Sequence, residues 1–220
     1  MTAAVESKTT GELAGKPKLR GVFHAAAVLP ALLAALWIVQ CTERVDLQLP
    51  MIFYGATLVM LFAVSGFYHC PNWPEETRLH LRRFDRSMIY LFLAGSFTPY
   101  FTLIESPWSP WVLTIVWTGS LLGATKSILF PKAPRALTAG LYVVLGLTAA
   151  PFFPEMAKSL GSTTAFLILA GGIAHLSGAV CYARRGPNPI PGVFGYHEIF
   201  HLLVVLGVAL HHAGLMLNVS

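Results

Sequence analysis

The sequence predicts an all-α integral membrane protein, a bundle of seven transmembrane helices with its N-terminus in the cytoplasm and its C-terminus outside. Three observations carry this. Of 220 residues, 55% are hydrophobic and only 11% charged, against about 25% charge in an ordinary soluble domain. The apolar residues come in long blocks, each near the ~20 residues that a helix needs to cross a hydrocarbon core. The lysines and arginines fall almost wholly on one side of those blocks, as they do on the cytoplasmic face of membrane proteins.

Residues 1–20 are polar and contain no apolar signal region, so they read as a cytoplasmic tail. Residues 21–220 then form the membrane domain. The first apolar block is long enough to span and is followed by no small-residue cleavage pattern, which makes it a retained helix and not a signal peptide. Spans are expected over 22–41, 50–69, 86–104, 110–129, 135–152, 163–182 and 197–217. Prolines mark the gaps, because a proline inside a helix removes a hydrogen bond. Pro50 is expected to open the second span, and Pro71 and Pro74 follow it. Pro107 and Pro110 bracket the third gap, Pro131 and Pro134 the fourth, and Pro187, Pro189 and Pro191 fill the sixth. The fifth span is the weak one, interrupted by Gly140, Gly146 and Pro151.

Orientation follows from charge. The tail holds Lys8, Lys16, Lys18 and Arg20, and the loop after the second span holds Arg78, Arg82, Arg83 and Arg86. Lys126, Lys132 and Arg135 follow the fourth span, Arg184 and Arg185 the sixth. Thirteen of the 15 basic residues therefore share one side, leaving Arg44 and Lys158 on the other. The same distribution argues against nucleic-acid binding despite a net charge of +5, since the basic residues sit in short gaps between apolar blocks. Three cysteines, Cys41, Cys70 and Cys181, are odd in number and irregular in spacing, so they form no disulfide framework. Trp73, Trp108 and Trp111 fall near expected interfaces, where amphipathic rings anchor helices. Gly119, Gly123, Gly171, Gly172 and Gly178 suit close helix packing.

Ionisable side chains at membrane depth are costly and usually functional. His69 ends the second span on the cytoplasmic side, Asp85 starts the third there, and His197 and His201 start the seventh there. The topology alone brings these four to one leaflet. His197 and His201, at i and i+4, share a helix face with Cβ atoms roughly 6 Å apart, so both imidazoles can hold one ion. His69 supplies a third nitrogen, and Asp85 a fourth ligand or a partner for a metal-bound water. Ser65, four residues before His69, can orient a ligand or that water. Three neutral imidazoles with an open position describe a catalytic zinc site better than a structural one. His24, His80, His175, His211 and His212 read instead as interfacial residues bonded to neighbours, with His24 at a level where it could support the cluster. His197 to His201 also matches H-E-x-x-H, in which the glutamate of zinc peptidases is a general base. Glu198 fits a structural pairing with Arg20, His24 or a loop arginine slightly better.

At these residues a resemblance emerges. Lys16-Pro17-Lys18-Leu19-Arg20-Gly21-Val22-Phe23-His24 and Ser65-Gly66-Phe67-Tyr68-His69 come first. Arg83-Phe84-Asp85-Arg86-Ser87 runs into Ala94-Gly95-Ser96-Phe97-Thr98-Pro99-Tyr100, and His197-Glu198-Ile199-Phe200-His201 closes the series. In this order the pieces resemble the hemolysin III family, within the progestin and adipoQ receptor superfamily. The resemblance implies seven helices with zinc near the cytoplasmic leaflet, and roles at the site for Ser65, His69, Asp85, His197 and His201. The superfamily's adiponectin-receptor branch is linked to ceramide hydrolysis, and the wider group includes alkaline ceramidases. The bacterial branch is named for reported haemolysis, with a pore proposed. The short outer loops offer little surface for a protein hormone, which makes the bacterial branch the nearer match and the bacterial cytoplasmic membrane the expected location.

Four functions follow. The leading expectation is a zinc-dependent hydrolase of lipid amides or esters, with a membrane lipid as substrate. His69, His197 and His201 hold the metal, Asp85 orients or deprotonates the water, and the apolar spans supply an acyl-chain pocket. A pore-forming, haemolytic protein is the second, against which stands the lack of polar-lined segments. A sensor or receptor in which zinc only ties helices together is the third. An intramembrane metalloprotease is the fourth, weakened by the absence of a later aspartate motif.

Overall fold

The computed structural model describes residues 16–219, which are almost entirely helical. Most of the expected tail and the terminal Ser220 lie outside the described residues. The elements are α1 (Val22–Cys41), α2 (Val45–His69), α3 (Glu75–Leu103), α4 (Ser109–Leu129), α5 (Arg135–Gly146), a 3₁₀ turn (Leu147–Phe152), α6 (Phe153–Leu160), α7 (Ser162–Arg184) and α8 (Tyr196–Met216). Six segments are long and apolar enough to cross a membrane: α1, α2, α4, α7, α8, and Leu137–Leu160, which runs through α5, the 3₁₀ turn and α6.

Two helices start earlier than the prolines suggest. α2 begins at Val45, so Pro50 lies inside it and not at its start. The extension is worth making because Leu47 and Met51, one turn apart, are both completely buried, and because Asp46 in the first turn complements the helix dipole. α3 begins at Glu75, so Arg78, Arg82, Arg83 and Arg86 stand on a helix where a loop was expected. Pro74 at the N-cap and Glu75 and Glu76 in the first turn favour that start. Beyond this charged overhang, Ser87 to Leu103 is a run of 17 residues without one Asp, Glu, Lys or Arg. The fifth expected span is broken where Gly146 and Pro151 interrupt it, giving the 3₁₀ turn and the short α6.

The helices pack in chain order, α1 on α2, α2 on α3, α3 on α4, with α7 tightly against α8 and α8 returning to α1. The core is where these faces meet, with Ile38, Met51, Tyr54, Leu58, Phe101, Val116 and Leu215 almost inaccessible. The outward faces are as apolar as the core: Leu29, Leu36, Trp37, Leu122, Val144 and Phe166 are each more than half exposed. A water-soluble protein rarely carries such large apolar faces; in lipid they are solvated. The chain is a multi-pass membrane protein.

Close approach explains several glycines. A Cβ on Gly66 would stand 2.9 Å from Ala25 Cα, and one on Gly55 2.9 Å from Ala35 Cβ, so both let α1 lie against α2. Gly119, Gly123, Gly171 and Gly178 similarly face Leu145, Tyr90, His211 and Leu203. Gly172 does not fit that expectation, because nothing lies within 4 Å of where its Cβ would be.

Candidate metal centre

α2 ends at His69 and α8 begins one residue before His197, so the two helix ends deliver three imidazoles to one point. Ligand atoms of His69, His197 and His201 all lie within 4.8 Å of one another. His197 and His201 are buried, and the His69 side chain is 10% exposed. His69 Nε2 and His197 Nε2 are 3.3 Å apart. That is long for a hydrogen bond, whose N–H donors sit ~2.7–3.2 Å from the acceptor. It matches the ~3.3–3.4 Å edge between two nitrogens each ~2.0–2.1 Å from one tetrahedral ion. His201 Nδ1 is buried with no hydrogen-bond partner, a costly state for a polar atom. The donor set and its spacing therefore fit a metal ion.

Asp85, on α3, stands beside this set with Oδ2 3.7 Å from His69 Nε2. It faces His69, Ser65 and His24. Ser65 lies one turn before His69 on α2, and its Oγ is 2.8 Å from His24 Nδ1. Its direct partner in the site is thus a histidine that the sequence left among the interfacial ones. His24 is 3% exposed and stacks on His201, with ring centroids 3.8 Å apart and planes at 4°. Its Nε2 is also buried without a partner. His24 therefore fixes the ring plane of His201 from α1, and Ser65 fixes His24. The signal for His24 in the sequence is its place at the start of the first expected span, level with the cluster.

Glu198 follows the structural reading. It is 1% exposed. Oε1 accepts from Arg20 Nε at 2.5 Å, and Oε2 accepts from the Gly195 backbone N–H at 2.9 Å, so the N3 glutamate satisfies the N-cap amide at the start of α8. Arg20 is held in turn because Lys18 and Leu19 donate backbone hydrogen bonds to Gly192 and Val193. The same glutamate that completes H-E-x-x-H thus caps α8 and straps the segment before α1 across the loop that leads into α8.

A cavity of about 390 Å³ opens from this centre. His69, Asp85 and His201 line one end and His175 and His211 the other, with Phe97 among the apolar side chains between. His201 and His211 are ten residues apart on α8, or ~15 Å of helix rise. Beside this space α5 packs chiefly on α7 and only slightly on α3.

The remaining histidines do not join the centre. His80 is exposed on the α3 overhang. His175 and His211 contact each other edge to face at 5.2 Å between centroids, and His212 Nδ1 lies 3.2 Å from Tyr54 Oη.

Residues 14–212 match the model of a family described as haemolysin-III related. The Homo sapiens monocyte to macrophage differentiation factor is 25% identical over 198 residues, covering 86% of this chain and 78% of that protein. Hemolysin-3 of Bacillus cereus is 28% identical over 158 residues, 71% of this chain and 69% of that protein. The ADIPOR-like receptor IZH2 of Saccharomyces cerevisiae is 34% identical over 93 residues, 37% of this chain and 29% of that protein. The chain belongs to the haemolysin-III-related family.

Proposed function

We propose that this haemolysin-III-related membrane protein is a zinc-dependent hydrolase of lipid amides or esters. The single observation that carries the proposal is a three-histidine cluster, with His197 and His201 buried, opening directly into an apolar cavity of about 390 Å³. His69, His197 and His201 hold the ion, and zinc, when bound there, supplies a Lewis acid that makes water nucleophilic near neutral pH. Asp85, beside His69, orients the attacking water and takes up its proton. Ser65 and His24 hold the ring of His201 in plane. The substrate carbonyl sits at the histidine end and its acyl chain runs toward His211. Lipid tails are as apolar as the cavity wall, so entry from a bilayer brings little hydrophobic gain. The cavity then selects chain shape, and the polar end sets the affinity.

The bundle crosses the membrane seven times in this reading, the apolar run from Ser87 to Leu103 adding the seventh crossing to the six apolar segments. The end carrying the metal centre faces the cytoplasm, supported by the thirteen basic residues on that side. The expected location is a bacterial cytoplasmic membrane.

The test is fatty-acid release from a panel of lipid amides and esters by purified, zinc-loaded protein, with His201→Ala as control. Release by the wild type alone supports hydrolysis. No release from any lipid by folded, loaded protein removes it. If chelation unfolds the protein, the ion is a clamp between α2 and α8, as in structural zinc sites.

A further inference from the structure

A second site lies apart from the histidines, where the overhang of α3 meets the turn between α4 and α5. Arg83, Lys126 and Lys132 line a groove there together with Leu129, Phe130 and Leu137. The three apolar side chains are 64%, 64% and 52% exposed, a shelf leading outward from the cations. The groove is built: Arg86 Nη1 donates to Pro131 O at 2.8 Å, and Ala133 N to Phe130 O at 3.1 Å, fixing the turn. Lys126 Nζ donates to Thr138 Oγ1 at 2.8 Å, and the Lys126 side chain lines the groove beside Arg83 and Lys132. Among the described residues none of the three cations forms an ion pair with a carboxylate. Arg83 Nε is moreover buried with no hydrogen-bond partner.

Like charges lining one groove repel one another, and a desolvated guanidinium N–H without an acceptor is costly. One anion with several oxygens would relieve both, and phosphate suits an arginine flanked by lysines. The apolar shelf beside the cations decides the source. We propose that this groove binds the phosphate of an anionic phospholipid, with the acyl chain lying along Leu129, Phe130 and Leu137. Basic pockets between membrane helices are a recurrent form of lipid recognition. This site does not depend on turnover at the metal centre.

Full-length protein in nonionic detergent is titrated with phosphatidylglycerol and with phosphatidylcholine, and bound lipid per chain is read by native mass spectrometry. The expected result is one retained phosphatidylglycerol, preferred over phosphatidylcholine. Arg83→Gln/Lys132→Gln should weaken it about thirtyfold and Lys132→Gln alone about fivefold, the usual worth of basic residues near an anionic lipid. Lys132 is exposed, so the single variant decides if the double variant does not fold. Arg184→Gln/Arg185→Gln removes the same charge elsewhere and should leave binding unchanged. Equal retention of both lipids, or equal loss in the Arg184/Arg185 variant, overturns the site in favour of a diffuse surface charge. Displacement of the lipid by millimolar inorganic phosphate overturns it in favour of a free-anion site.

Discussion

The two ends of the cavity both carry histidines, and they differ in where the ring nitrogens go. At the far end, His211 Nε2 lies 3.1 Å from the Ile168 carbonyl and its ring meets that of His175 edge to face. The backbone there is bonded too, with Tyr100 Oη donating to the His211 carbonyl at 2.6 Å. At the near end, His201 Nδ1 and His24 Nε2 have no protein partner, and two Nε2 atoms face each other at 3.3 Å. A histidine at membrane depth is therefore not in itself a sign of a metal. Convergence of three imidazoles beside a buried ring nitrogen that the protein leaves unpaired is the sign, because an unmet buried group costs roughly 1–3 kcal/mol unless a ligand takes it up.

The largest test of this contrast is metal content. Purified wild type should carry about one zinc per chain, and His197→Ala/His201→Ala should carry only a trace by mass spectrometry, since two of three ligands are gone. His175→Ala and His211→Ala should keep full stoichiometry. Metal lost from the far-end variants would dissolve the distinction.

Next comes the support for the site. Ser65→Ala and His24→Ala leave the three ligands in place but free the ring of His201. Losing the partners that orient a ligand's ring costs about 10–100-fold in metal affinity. A competitive chelator titration reads this directly, and an unchanged affinity for both would mean that the stacking of His24 on His201 positions nothing.

How much of this could be read in the sequence depends on whether a residue has a partner at helical spacing. His197 with His201, and Ser65 with His69, lie four apart, so one face of each helix announced itself, and charge bias brought the ends to one level. His24 has no such partner within α1. Its part in the site comes from stacking across helices, which leaves no periodic trace. The arginines before Ser87 suggest a loop, because charge usually marks the end of an apolar span, whereas α3 simply continues beyond the apolar run. Gly66 went unmarked for a related reason: its role depends on Ala25, 41 positions earlier.

Glu198 sharpens the comparison at one residue. Its side chain is wholly inaccessible and that of Arg20 is 21% exposed. Glu198→Gln should therefore lose about 2 kcal/mol of stability, below the ~3–5 kcal/mol for breaking a completely buried pair. Thermal unfolding in detergent measures it. The variant should retain its zinc and its turnover. Full stability with turnover lost would make Glu198 a catalytic base and restore the peptidase-like reading of the motif.

The smallest effects separate two glycines. Gly66→Ala puts a methyl 2.9 Å from Ala25 Cα, a backbone atom that cannot swing aside. Overpacking of that kind costs roughly 1–3 kcal/mol, and because Gly66 follows Ser65, the shift would also disturb the contact with His24. Gly172→Ala meets open space on the cavity wall and should cost nothing, instead stabilising α7 by about 0.5–1 kcal/mol, as alanine does over glycine inside a helix. Thermal unfolding with metal affinity for both variants gives the contrast. Packing should be unforgiving beside the metal centre, where α1 and α2 must touch, and permissive along the cavity, where the fold holds helices apart. A large cost at Gly172 would mean that α7 closes on its neighbours in the membrane, and that the space assigned to an acyl chain is not kept open.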